Sequence, residues 1–357
     1  MAATIPAWPT LKLGDSGENV WALQYLLATR GIATKLSGTF EAQTQAAVTE
    51  FQTKYNILSD TRGVAGKGTL PKLVVSVQQV KPPKGEKIPV TNSAKAAQYL
   101  LSKFETLTID GQFGPGAATA LASFQVRMRI PITGITDSLT WQCMFGYKTY
   151  PLGVVAPPST SVYASVCAVN STLTSAQMTK NAQYVCSFLK SSGFSKAAAC
   201  GVLGNMQQES GINPGNWEVL PNTSYGYGLV QWTPVIDKFF AWAGNNNNTP
   251  LSNTQPETIN NWAVTDPVAL MQSELKYLLW SIDNESGAWK YSTTSDYGSI
   301  KISKGITFED FKKNKNNDTA ARLALIFHAY YERSDDDSGV LQQRERYATN
   351  WYNSIVW

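Results

Sequence analysis

Apolar residues recur along this chain at helical rather than strand spacing. Near the start, Val20, Leu23, Leu26 and Leu27 fall on one face of a helix, and Gly38-Thr39-Phe40 opens the next segment. Ala47, Val48 and Phe51-Gln52 form a second stripe, and Gly63-Val64 precedes a shorter third one with Thr69 and Leu73. The pattern then repeats. Ala94, Ala97-Gln98, Leu100 and Leu101 lead to Asp110-Gly111-Gln112-Phe113, then Ala120, Leu121 and Phe124-Gln125, then Gly134-Ile135, with Thr140 and Met144 closing. Each copy predicts a small three-helix unit with a modest core. From about Ser171 the stripes lengthen. Ala182, Val185, Phe188 and Leu189 share a face of a helix over Thr179 to Lys190, Gly193 interrupts, and Ser195 is placed to cap a helix carrying Ala199, Val202, Leu203 and Met206.

Two proline-rich stretches separate these blocks. Lys81 to Pro89 is one and Tyr150 to Ser161 the other, both reading as extended linkers. The expected organisation is a first small domain at 10–78, a linker at 79–91, a second and divergent one at 92–148, a linker at 149–170, and a larger domain at 171–357. The expected fold class is mainly α throughout.

The first block also carries a family resemblance. Leu11-Lys12-Leu13-Gly14-Asp15-Ser16-Gly17, Val20, Leu23-Gln24, Gly38, Phe40, Thr44, Ala47-Val48, Phe51-Gln52 and Gly63-Val64 resemble the peptidoglycan-binding domain of many wall hydrolases. The second block is a weaker copy without the Leu-Lys-x-Gly-Asp opening, and Ala117 stands where the first has Thr44. Interaction modules with some other partner are the alternative reading of both blocks.

Composition narrows the picture only a little. The 357 residues are 43% hydrophobic and 16% charged, with 11 Trp and 16 Tyr, which suits polar and aromatic surfaces of the kind sugars favour as well as an ordinary aromatic core. The net charge of +4 fits an anionic wall but shows no Lys/Arg clustering of a nucleic-acid footprint. No stretch is long and apolar enough for a membrane helix, and the N-terminal residues lack the basic and apolar regions of a signal peptide. The four cysteines match no zinc spacing; Cys186 and Cys200 flank a helical hairpin, where a bridge or two reduced core thiols both fit.

Glu209 is the residue with chemistry in its placement. It lies three residues beyond Met206 and seven beyond Val202, so at helical spacing it projects from the apolar side. Apolar surroundings and the negative end of its helix would both favour the protonated acid, the form that glycosidic cleavage needs at the leaving oxygen. A Glu that turns to water or pairs with a cation fits the same pattern.

The surrounding motifs speak to that choice. Gly201 to Pro214, containing Gln208-Glu209-Ser210-Gly211, followed by Tyr225-Gly226-Tyr227-Gly228-Leu229-Val230-Gln231-Trp232-Thr233-Pro234, resembles the phage tail-associated lysozyme family. More loosely it is similar to goose-type lysozymes and lytic transglycosylases. Asn181-Ala182 and Tyr330-Tyr331-Glu332-Arg333 extend the resemblance toward the C-terminus. The resemblance implies that Glu209 is the general acid, that Gln231 hydrogen-bonds the saccharide, that Gly226 and Gly228 permit close backbone approach, and that Tyr225, Tyr227 and Trp232 stack on sugar faces. Core packing is the alternative for those aromatics.

A second acid is not fixed by the sequence. Glu218 in the loop after Trp217, Asp237 at the start of a helix, and Glu274 within Leu270, Met271, Glu274, Leu275, Leu278 are the candidates. Without one, the substrate's own 6-hydroxyl would attack, as in lytic transglycosylases. A zinc peptidase lacks ligands, because His328 is the one histidine, and it sits in the apolar run Leu323 to Tyr330 as a packed residue. Cys186 and Cys200 lack the setting of a reactive thiol. Asn245 to Asn248, Lys312 to Asn317 and Asp335-Asp336-Asp337 read as exposed loops without metal-ligand spacing.

The resulting expectation is a muramidase cutting the β-1,4 bond between N-acetylmuramic acid and N-acetylglucosamine, monomeric, without cofactor or metal, with bacterial peptidoglycan as partner and neither nucleic acid nor membrane insertion. A phage endolysin released through a holin-type route, a virion-associated lysin and a bacterial autolysin all fit. A wall-binding protein without activity is the alternative from another class.

Overall fold

The computed structural model describes residues 4–151, 162–169, 172–245, 255–291 and 302–357. The fold is mainly α as expected: fourteen α-helices are present, with no strand among the described residues. The proline-rich stretch from Leu152 to Ser161 and the run Asn246 to Asn248 lie outside the described residues. The chain divides into two compact units, Met1–Ala156 with Val219–Asn222, and Pro157–Glu218 with Thr223–Trp357.

The first unit holds α1 (Glu18–Thr29), α2 (Ala42–Lys54), α3 (Leu70–Leu73), α4 (Asn92–Leu101), α5 (Pro115–Met128) and α6 (Ser138–Gly146). These are the two predicted sets of three. A buried glutamine near the end of each first and second helix explains the repeated x-Gln pairs. Gln24 accepts from the Ser37 and Gly38 amides and donates to the Thr39 carbonyl and Thr44 Oγ1. Gln98 repeats this with the Gly111 amide and the Gln112 carbonyl, and Asp110 takes the place of Thr44 as its side-chain partner. Gln52 and Gln125 do the same one loop later, accepting from the Gly63 and Gly134 amides. All four are almost fully enclosed. Each loop thus exchanges water for an internal amide that satisfies both its N–H and its C=O groups.

The two sets pack on each other through α1 and α4, where Trp21 and Tyr99 stack with centroids 4.9 Å apart. The extended linker expected at 79–91 is tied down at both ends: Val80 donates to the Phe113 carbonyl and Thr91 to the Gly111 carbonyl.

The second unit holds α7 (Ser175–Ser191), α8 (Lys196–Ser210), α9 (Phe239–Asn245), α10 (Pro256–Thr265), α11 (Pro267–Asn284), α12 (Phe308–Lys313), α13 (Ala320–Phe327) and α14 (Ser338–Ser354). The Ser195 hydroxyl caps α8 as predicted. Helix α8 is the axis of this unit, enclosed by α7, α13 and α14. Two glycines make that possible. A Cβ on Gly201 would sit 2.9 Å from the Ala324 amide of α13, and one on Gly204 would sit 2.6 Å from the Arg344 carbonyl of α14. Lys312 and Lys313, read as loop, are the last turn of α12, ended by Asn314 in the left-handed conformation. Cys186 and Cys200 are free and buried, with a hydrogen bond between their thiols.

Candidate active site

The final turn of α8 places Gln208 and Glu209 at a cleft of about 680 Å³. Ala168, Asn216 to Glu218, Val230 to Thr233, Lys238, Glu285 to Ala288 and Tyr331 to Ser334 form the rest of its walls. The left-handed Gly211 stops the helix there, so the Glu209 side chain stands at the rim of the core rather than inside it. Ser210 then ties the helix to the cleft loop, its hydroxyl lying 3.0 Å from both the Met206 and the Leu229 carbonyls.

Glu209 is not surrounded by apolar side chains, the setting expected from the pattern. Its Oε1 accepts from Arg344 Nη2 of α14, so of the two sequence readings the pairing with a cation describes the geometry. Arg344 is buried and forked. Its Nη1 donates to Asn205 at 3.0 Å, while Nε and Nη2 donate to Asp336 Oδ2 at 2.9 and 2.7 Å. His328 Nε2 lies 3.2 Å from the same oxygen and 3.0 Å from Ser334 Oγ. Burial pushes the Asp336 carboxyl up, but the His328 hydrogen bond and the Arg344 charge outweigh it and bring it down to about 2. The triple-aspartate loop is therefore not inert: Asp336 holds the arginine, and Asp337 caps α14.

The opposite case is Glu332, at the end of a π-helical turn over His328–Glu332. It lines the same cleft, and its Oε1 is enclosed with no hydrogen-bond partner. Burial first, then the charge of Glu209, pushes this carboxyl well above the ordinary carboxylate range, with Arg344 pulling the other way. The segment Tyr330-Tyr331-Glu332-Arg333 belongs to the family resemblance, which implies no role for Glu332. The available signal was a carboxylate four residues after His328 and seven after Leu325, on the face that Leu325 and His328 bury.

The other sequence candidates separate. Glu218 reaches the cleft, its Oε2 accepting from the Gly226 amide at 2.8 Å. Asp237 ends a single 3-10 turn, Val235–Asp237, and lines a different pocket with Trp242 and Trp280. Glu274 is fully enclosed beneath the loop, where Oε2 accepts from the Leu229 amide at 2.8 Å, and burial pushes its carboxyl well above the usual range. It supports the loop from below and presents nothing to the cleft. The close approach expected of Gly228 is likewise toward Glu274, since a Cβ there would meet Oε2 at 2.7 Å.

Of the aromatics, Trp232 lines the cleft and donates through Nε1 to Tyr331 Oη at 2.8 Å. Tyr227 is wholly buried against Trp217, Phe239 and Phe240, so it offers no face to a sugar. Tyr225 is partly exposed but is not in the cleft wall. Gln231, left-handed at φ 50°, is in the wall, and its amide nitrogen donates to the Asn216 and Gly228 carbonyls at 3.1 and 2.9 Å. Both donors are thus engaged in holding the loop, which leaves Oε1 as the atom for a ligand. Among the described residues no group of side chains is arranged to hold a metal, and no helix is long and apolar enough to cross a membrane.

A polar cleft with stacked aromatics and several carboxyls suits a saccharide that exchanges many hydroxyl contacts and has its bond broken by proton transfer. Residues 180–355 match the phage tail lysozyme family, and residues 16–73 and 91–144 each match the peptidoglycan binding domain family. Among curated proteins, the chain is similar to Morphogenesis protein 1 of Bacillus phage B103, with 37% identity over 189 residues that cover 52% of this chain and 42% of that protein. The match thus spans less than half the length of that relative.

Proposed function

We infer the activity from what the matched domains are, a phage tail lysozyme domain at 180–355 preceded by peptidoglycan-binding domains. The protein is a cell-wall lytic enzyme. Its bond is the β-1,4 linkage between N-acetylmuramic acid and N-acetylglucosamine, and Glu209 delivers the proton to the leaving oxygen. The observation that carries this reading is the position of Glu209, held by Arg344 at the edge of a polar cleft whose wall includes Gln231 and Trp232. The N-terminal repeats keep the cleft on an insoluble polymer, where tethering raises the local substrate concentration. Likeness to a phage morphogenesis protein favours a virion-associated lysin over an endolysin or an autolysin.

Purified walls test the assignment. Glu209→Gln should clear them about 10²–10⁴ times more slowly than wild type while sedimenting with them equally well. Equal clearing by both proteins would remove Glu209 from the reaction. If neither clears walls yet both sediment, the protein binds walls without cutting them. Mass spectrometry of the digest identifies the bond, through muramic acid at the new ends.

A further inference from the structure

We propose that Glu332 is the second carboxyl of this reaction, the group that accepts the proton of the attacking water while Glu209 serves the leaving oxygen. This rests on the reading of Glu209 given above. Both residues line one cleft, from the end of α8 and from the end of the π-helical turn. The other carboxyls of that cleft are engaged elsewhere. Glu218 accepts from the Gly226 amide, and Glu285 is bound by Lys238 at 3.0 Å and by the Tyr277 hydroxyl at 2.7 Å. Glu332 alone of these has an oxygen that is enclosed and without a hydrogen-bond partner among the described residues. An orphan buried acceptor is costly to keep and calls for an explanation, and a group that must receive a proton during turnover is one.

The surroundings of Glu332 suit a proton acceptor. Burial first, then the charges of Glu209 and Asp336, raise its affinity for a proton, while Arg344 and Arg333 lower it, and a carboxylate of raised proton affinity is the stronger base. Hydrolysis needs one proton on Glu209 and none on Glu332. As the C1–O bond breaks, Glu209 gives its proton to the leaving oxygen. The water oxygen bonds to C1, and the water's proton passes to Glu332. Glycoside and water become two hydroxyl-ended fragments, with no change of oxidation state. The pair again holds one proton, now on Glu332, and its return to Glu209 resets the site.

Glu332→Gln tests this directly, because the amide copies the neutral acid in size and hydrogen bonding but cannot accept a proton. The expected result is unchanged circular dichroism and wall sedimentation, with kcat lower by about 10²–10⁴. The pH–rate profile should lose its acid limb, which reports a second proton blocking the acceptor. Added formate should restore part of the rate to Glu332→Ala by supplying a carboxylate in the vacated space. Wall clearing by Glu332→Gln within about threefold of wild type, with both limbs intact, would overturn the proposal, as would a folded, inactive Glu332→Ala that formate does not rescue. Anhydro-muramic ends in the wild-type digest would also overturn it, since the substrate's own hydroxyl would then replace water. The Glu209 reading fails separately, through an active Glu209→Gln.

Discussion

At the scale of single residues, the carboxyls of the second unit differ through their neighbours. Asp336, Glu209 and Glu332 all surround Arg344, yet against its burial Asp336 is held near 2 by the His328 hydrogen bond and the Arg344 charge, while burial and Glu209 push Glu332 up. Asp336 therefore contributes to stability in a definite pH window. Its folded value lies below that of an unfolded aspartate near ~3.9, so the contribution is fully present above that value and is lost as pH falls through about 2. Asp336→Asn should cost about 2 kcal/mol at neutral pH, read from urea unfolding. The difference from wild type should shrink as the titration moves from pH 5 toward pH 2; a pH-independent difference would mean that the ion pairs contribute nothing. None of this was legible along the chain. Glu209 and the Gly-Leu-Val-Gln-Trp segment announce themselves as local patterns, whereas Arg344 and its contacts arise only when segments far apart in sequence are folded together. Glu274 shows the reverse error. Its place in an apolar stripe was visible, but the stripe said only that the residue faces inward, and inward proved to mean under the loop rather than into the cleft.

At the scale of elements, the predicted helices appear where the apolar spacing put them, and the differences fall at their ends. Helix α7 begins four residues before the expected Thr179 because Thr174 and Gln177 form a capping box, a signal more local than the stripe. The π-helical turn was not foreseeable from periodicity, since it follows directly on α13 without a break in the apolar run. Helix α8 depends most on its glycines. Gly204→Ala would place a Cβ against the backbone of α14, 2.6 Å from the Arg344 carbonyl and 3.0 Å from the Ala348 amide, and neither can swing aside. The helices must separate, at a cost of about 1–3 kcal/mol. Because α8 carries Glu209 and α14 carries Arg344, wall clearing should fall further than thermal stability alone accounts for. A variant with wild-type melting and wild-type clearing would show that the contact is not close in solution.

At the scale of the whole molecule, the proposed function gives the repeats the wall and the cleft the bond. Gln24→Leu would leave the Ser37 and Gly38 amides without their acceptor, at about 1–3 kcal/mol for each unsatisfied group. A repeat with so small a core has little to spare. Packing of α1 on α4 would carry the damage into the second repeat. Sedimentation with purified walls should fall, while hydrolysis of soluble glycan fragments continues at the wild-type rate. Loss of both together would argue against the division.

The wiring of the cleft also has a consequence in time. Glu209 and its guanidinium partner are 135 residues apart, and Glu332 lies between them in the chain. During synthesis the helix bearing Glu209 emerges long before α14 does. Until Arg344 has left the ribosome and docked, the Glu209 carboxyl lacks the hydrogen bond that holds it. A chain interrupted between the two residues carries Glu209 without the guanidinium that holds it, and on the proposed function it should clear walls poorly.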